Sequence, residues 1–369
     1  MNINNKIAIV ITGMSFGGAE RVTAYLSNYF IDNDKDVYLI SLTKTELAYP
    51  LSPKIHYIQL KPSEKKNPLV RYSVLVKQIR QTIKQIQPSL VLGMMSYSGS
   101  LTAFACAGLH IPVLLSERND PYTTQSFSTI EKKIIRFAYH RFAYRAVFQT
   151  ESAKTYYYNK NSDRGVVIPN PLYLEDLPVP NETINSTMEI VSAGRLSKQK
   201  NQQLLVRAFS FVHKEYPAST LTIYGEGNQR KELEQVISSL HLEASVFLPG
   251  IEASIFPKLQ KAHIFVMSSN FEGMPNALIE AMAMGLPVIT TDYSEGRGTL
   301  VINNENGLLV PRNDVEALSR AMISLFEDSS FAFRLSRKAL AIRQELDSKE
   351  ICKQWLSTID HTIALYANK

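Results

Sequence analysis

Apolar residues fall into two kinds of block along this chain. Short runs rich in Val, Ile and Leu alternate with longer stretches whose apolar positions recur every three or four residues. The first pattern predicts buried strands and the second amphipathic helices. Lys6 to Thr12 (KIAIVIT) opens as a strand, Gly13 to Gly18 is a loop, and Ala19 to about Asn33 is a helix with Val22, Tyr25, Leu26 and Tyr29 on one side. Val37–Ser41 is the next strand, and further strands are predicted near 55–60, 89–94, 113–117, 146–150 and 166–170. A second series begins at Glu189–Gly194 and continues through Thr220–Gly225, Ser245–Gly250, 262–268, Val288–Thr291 and Leu308–Pro311. Helices are predicted at Asn228–Leu240, Ala277–Met284, after a cap at Asp314, and over 329–346 and 349–367. Strand–helix alternation of this kind gives a parallel sheet covered on both faces, so the predicted class is α/β with two Rossmann-like, doubly wound domains.

Length agrees with two domains, since 369 residues exceed one ordinary domain. Residues 171–187 carry Pro171, Pro178 and Pro180 among Asn, Glu and Thr, as a linker would. The expected division is 1–172, a linker over 173–187, a second domain over 188–346, and a final helix in 347–369. Two distant cysteines, Cys106 and Cys352, exclude a disulfide framework or a CxxC zinc site and fit a reducing cytoplasm. Asn2–Asn5 is polar and leads straight into a strand, so no secretory leader is expected. Pro88–Leu115 contains no Asp, Glu, Lys or Arg, but Ser96–Ser100 and Gly108–His110 break it into strand, helix and strand rather than a membrane span.

Charge is uneven. Residues 1–180 hold 21 Lys+Arg against 13 Asp+Glu, a net of +8, and the remainder hold 19 against 21, a net of −2. The basic residues gather in 61–84 and in 131–145, where Phe137, Tyr139, Phe142 and Tyr144 are interleaved with them. Drawn as a helix, Ile134, Ile135, Ala138 and Phe142 share one side, and Lys132, Lys133, Arg136 and His140 the other. Such a helix reads as an ordinary solvated face or as a contact with anionic head groups or a pyrophosphate-linked ligand. No recognition motif or basic tail supports nucleic acid.

The most informative stretch is Ala262–Asp292, AHIFVMSSNFEGMPNALIEAMAMGLPVITTD. It predicts strand, loop, helix, strand, with Pro275 at the first helical position and Gly285 just past the end. The free N–H groups and positive dipole end after Gly273, Met274, Pro275, Asn276 and Ala277 make an anion site suited to phosphate. Glu272 and Glu280 flank it, and each suits a pair of sugar hydroxyls or plain solvent exposure. Arg195 and Lys200 follow the strand at 189–194, where two cations suit a diphosphate. Gly17-Gly18 permits close backbone approach, Gly225 and Gly250 end strands, and Ser116–Pro121 (SERNDP) lies where ligands bind in such sheets.

The string S-x-N-x-E-G-M-P-N-A-L-I-E-A-M-A-x-G-x-P-V-I resembles the E-x7-E signature of the group-four retaining glycosyltransferases of the GT-B fold. G-R-L-x-x-Q-K-N at Gly194–Asn201 is similar to their second signature, and G-G-A-E-R at Gly17–Arg21 to their first loop. The resemblance implies two Rossmann-like domains facing a cleft, with the final helix crossing back to the first. It implies a UDP-sugar donor, with Arg195 and Lys200 on the leaving β-phosphate, Glu272 on the sugar, Glu280 on the ribose, and Gly225 and Gly250 near the nucleotide. Retention of configuration and no metal or cofactor are further implications. The acceptor implied is a glycan, polyprenyl-pyrophosphate-linked, on a cytoplasmic enzyme resting on the inner membrane face through 61–84 and 131–145. The family's usual His after the fifth strand is absent; Glu117, Arg118 and Asn119 stand there as candidate sugar or acceptor residues. Thr299 replaces the family's Glu of a G-x-x-E-I-I string. A GT-B epimerase or phosphorylase, or a non-catalytic nucleotide-sugar binder, stays open.

Overall fold

A computed structural model describes residues 5–15, 17–61, 67–122, 127–180, 182–183, 187–252 and 254–368. The chain divides into two compact units, residues 1–171 with 348–369, and residues 172–347. Leu172 opens the second unit, where its N–H donates to Leu346 O at 2.7 Å; of the stretch 173–187, residues 181 and 184–186 lie outside the described residues.

In the first unit the order is β1 (Lys6–Ile11), α1 (Gly18–Asp32), β2 (Asp36–Ser41), β3 (His56–Gln59), α2 (Pro68–Ile86), β4 (Leu90–Met94) and α3 (Ser96–Cys106). It continues with β5 (Val113–Glu117), α4 (Thr129–Arg141), β6 (Arg145–Phe148), α5 (Glu151–Tyr157) and β7 (Gly165–Val167). All pairings are parallel, in the order β3-β2-β1-β4-β5-β6-β7. Val, Ile and Leu on both sides of β1 and β4 are fully buried, which is why these strands read as unbroken apolar runs.

The second unit comprises β8 (Glu189–Ala193), α6 (Gln202–Glu215), β9 (Thr220–Tyr224), α7 (Arg230–Ser239), β10 (Val246–Gly250), α8 (Phe256–Leu259) and β11 (Ile264–Met267). After these come α9 (Asn276–Ala283), β12 (Val288–Thr291), β13 (Leu308–Val310), α10 (Val315–Glu327), α11 (Ser329–Ala339) and α12 (Ile342–Glu345). Its sheet is parallel in the order β10-β9-β8-β11-β12-β13. Asp314 caps α10 by accepting from Ala317 N–H at 2.8 Å. The last helix, α13 (Ser348–Ala367), rejoins the first unit, where Trp355 and Ile359 are wholly buried against the α1 side of the sheet.

Three local expectations need correction. Pro275 caps α9 with an extended backbone rather than starting it. Helix α4 spans 129–141, so Arg145 belongs to a strand. Its buried side is Ile135, Ala138 and Tyr139, whereas Ile134 is exposed, because a core stripe spaced by three and four takes Tyr139 and leaves Ile134 beside it. Of the basic stretch 61–84, residues 62–66, with Lys65 and Lys66, lie outside the described residues. Arg80 is turned inward and donates at 2.7 Å to both Ala105 O and Ala107 O.

Candidate active site

Strand order in the second sheet reverses between β8 and β11, whose crossovers run to opposite sides. A crevice opens at the carboxyl ends of strands at such a point. The loops leaving β8 and β11 carry the Arg195–Lys200 and Glu272 motifs, and they are bonded together. Asn270 N–H donates to Gln199 O at 2.7 Å, Asn270 Nδ2 to Lys198 O at 2.8 Å, and Ser268 Oγ to Lys200 O at 3.0 Å.

Lys200 and Glu272 meet in an ion pair of 2.6 Å, with the Glu272 side chain 8% exposed and that of Lys200 19%. Ser269 Oγ donates to Glu272 Oε1 at 2.6 Å and Gln199 Nε2 to Oε2 at 3.3 Å. Ser269 is itself held, since Thr291 Oγ1 donates to its carbonyl at 2.6 Å. The carboxylate is thus fixed by three side chains from two loops. Sequence reasoning passed over Ser269, Gln199 and Thr291; Ser269 acts within the Glu272 loop, three residues away, whereas the roles of Gln199 and Thr291 arise only when separate segments meet. Arg195 is exposed, and no carboxylate pairs with it among the described residues.

Close backbone contact shapes the neighbouring wall. Gly225 has φ +134°, and a Cβ there would lie 2.1 Å from Gly194 O. Gly227 would place a Cβ 2.1 Å from Leu196 O. Gly225 N–H donates to Gly250 O at 2.7 Å, which joins the ends of β9 and β10. Gly273, Met274, Asn276 and Ala277 lie around the start of α9, which has no acidic residue in its first turn and no side-chain cap. A helix start without a side-chain cap is a place suited to an anion. Glu280 is half-buried on α9, one turn on. Tyr293 is buried nearby; burial first, and the charges of Glu272 and Asp292 after it, raise its phenol above the ordinary range against an opposing bond from Leu300 N–H.

The other candidates belong to the first unit. Gly17 caps α1, and Tyr49 OH donates to its carbonyl at 3.1 Å; Gly18 begins the helix. Glu117, at the end of β5, is 1% exposed and accepts four hydrogen bonds: Ser96 Oγ at 2.5 Å, Tyr157 OH at 2.9 Å, Arg118 N–H at 3.0 Å and Asn119 N–H at 3.1 Å. Burial raises its pKa against the lowering effect of those bonds. Arg118, 6% exposed, donates to Ile168 O at 3.3 Å and to Asn170 Oδ1, and lies 5.8 Å from the Trp355 ring centre. Both side chains are bonded within packed protein, and Glu117 also accepts from the backbone of Asn119 in the loop that follows. Among the described residues no group of three His, Cys, Asp or Glu comes together that could hold a metal ion.

The profile of the Glycosyltransferase Family 4 domain matches residues 16–176, and that of Glycosyl transferases group 1 matches residues 179–341. The chain is a family 4 glycosyltransferase. An uncharacterized glycosyltransferase of Haemophilus influenzae is 27% identical to it over 360 residues, 95% of this chain and 98% of the relative. An N-acetyl-D-galactosaminyltransferase of Campylobacter jejuni, named for an undecaprenol-diphosphate-linked glycan, is 25% identical over 369 residues, 96% of this chain and 98% of that one. Among solved structures, Anabaena HepE in complex with UDP and glucose superposes with a TM-score of 0.83 at 20% identity, covering 96% of this glycosyltransferase and 99% of HepE. The fold is accordingly GT-B, with two Rossmann-like domains in one chain.

Proposed function

We propose that this glycosyltransferase moves a hexose or N-acetylhexosamine from a UDP-sugar to a lipid-linked glycan, with retention of anomeric configuration and without a metal ion. The observation that carries the reading is the Lys200–Glu272 pair, placed where the second sheet changes direction, beside exposed Arg195 and the open start of α9. As the bond from sugar to phosphate breaks, negative charge gathers on the β-phosphate. Lys200 is held in place by Glu272 before that charge appears, with Arg195 and the start of α9 beside it, and a charge prepared in advance is what lowers a barrier. Glu272 takes donor-sugar hydroxyls and Glu280 the ribose. The acceptor hydroxyl forms the new bond on the face the diphosphate leaves, and its proton passes to that diphosphate.

The lipid-linked acceptor is supported by the Campylobacter relative's named substrate and by the net positive first half. Helix α4 also exposes Ile130, Ile134 and Phe137 together with Lys133, Arg136 and Arg141, a composition suited to the anionic inner face of a membrane. Among the described residues no helix is long and apolar enough to span one.

The test is a panel of UDP-sugars with and without a polyprenyl-pyrophosphate-linked acceptor, with the product's anomeric configuration read by NMR. The expected result is UDP release that requires acceptor, an α product from an α donor, and a rate unchanged by EDTA. Epimerised or phosphorolysed donor, or UDP binding with no turnover on any acceptor, would favour the epimerase, phosphorylase or binding-protein alternatives.

A further inference from the structure

At the end of the first sheet opposite the loops described above lies a second cavity of about 590 Å³. It is formed where β5 and β6 begin and where α3, α4 and α13 end. Its cations are Arg141, Arg145 and Arg164, with His110 and His140 beside them, against a single carboxylate, Asp163. Phe142, Tyr144 and Tyr366 supply its apolar wall, with Tyr144 and Tyr366 edge to face at 5.2 Å.

Helix carboxyl ends would ordinarily make such a floor repel anions. Here the ends of α3 and α4 are neutralised. Arg80 binds two carbonyls at the end of α3, and Arg164 donates to Tyr139 O, His140 O and Ala143 O at 3.2, 3.0 and 2.6 Å. With those carbonyls occupied, Arg141 and Arg145 are left over. Arg145 is half-buried and makes one bond, from Nε to Asp163 O at 3.2 Å; neither arginine has a carboxylate partner among the described residues. Arg141 rests 5.6 Å from the Phe142 ring centre, which holds it at the cavity mouth. Burial lowers the pKa of Arg145 against the opposing charges of Asp163 and Tyr144, and burial followed by the charges of Arg136 and Arg164 lowers that of His140. Among the described residues Asp163 is the one carboxylate near Arg145 and makes no ion pair with it, so three guanidinium groups in an aromatic-walled cavity leave positive charge for an anion to meet.

We propose that this cavity is a phosphoryl-group site, separate from the donor loops, that takes a phosphate-bearing ligand whose uncharged part rests on Phe142, Tyr144 and Tyr366. The exposed apolar stripe of α4 reaches it through Phe137, whose ring lies 5.8 Å from that of Phe142. The phosphate is therefore that of an anionic phospholipid head group or of a soluble phosphate ester, and the same arginines recognise either. The site does not depend on the donor chemistry.

The experiment uses the full chain saturated with UDP, with glycerol 1-phosphate as probe and the His110 and His140 NMR signals as local readout. Both signals should shift and saturate. The affinity should fall about tenfold or more in Arg141→Gln/Arg145→Gln, as loss of charge-assisted bonds requires. Arg141→Gln alone, at an exposed position, should weaken it in the same direction if the double variant folds poorly. Co-sedimentation with phosphatidylglycerol and phosphatidylcholine vesicles separates the sources. Binding to phosphatidylglycerol alone, reversed by glycerol 1-phosphate and lost in the variants, identifies a head group. Glycerol 1-phosphate binding without vesicle binding identifies a soluble ester. Histidine signals unmoved by the probe, or an affinity unchanged by both arginine substitutions, would overturn the site.

Discussion

At the scale of single residues the account turns on which charges are held and by what. Lys200→Ala removes the cation from a nearly buried carboxylate, Glu272, and should lower turnover about a hundredfold or more, as loss of a preorganised charge does. It should also cost about 1–3 kcal/mol in stability from the unpaired carboxylate, measured by denaturant unfolding. Glu280→Ala should instead weaken UDP binding about tenfold by calorimetry, with little change in stability. Glu117 makes a prediction in pH. Its folded pKa lies above the unfolded value, so the folded state holds its proton more tightly. Its contribution is complete below about pH 4.3 and is lost as pH rises through the folded pKa. Subtracting the stability profile of Glu117→Gln from that of the parent should leave a difference that declines as pH rises from that point; a flat or rising difference contradicts the assignment. The sequence displayed Glu272, Lys200 and Arg195 because their motifs have fixed spacing. It could not display the burial of Glu117, since an acid ending an apolar strand reads equally well as a solvent-facing ligand group.

At the scale of elements, backbone closeness matters more than side-chain identity. Gly225→Ala would set a methyl against the Gly194 carbonyl in a conformation that L-residues seldom adopt. It should destabilise by about 2 kcal/mol or more and abolish UDP binding, because the β8 and β9 loops must separate. Trp355→Ala should cost about 3–5 kcal/mol in thermal or denaturant unfolding, since α13 anchors on the first sheet through this ring. Strands and most helices were legible because the apolar spacing changes with each element and Gly, Pro or Asp marks the ends, as Gly285 does for α9. On α4 the apolar side was read with Ile134 in it, whereas Tyr139 is buried and Ile134 exposed, since several apolar residues in succession leave the stripe undetermined until a sheet is there to receive it. The bond from Gln199 was beyond reach for a related reason: it joins loops about seventy residues apart.

At the scale of the whole chain, two alternating series of strands and helices announced two doubly wound units, and the sheets have the matching parallel orders. The compact units divide at residue 171, and Leu172 bonds to Leu346 within the second. The central claim is that a nucleoside diphosphate is held by that second unit, at the loops after β8 and β11. Hydrogen exchange of the full chain with and without UDP tests this most directly. Protection is predicted at Gly194–Asn201, at Gly225–Gly227 and at Ser268–Glu280; UDP binding that leaves all three segments unprotected would contradict it.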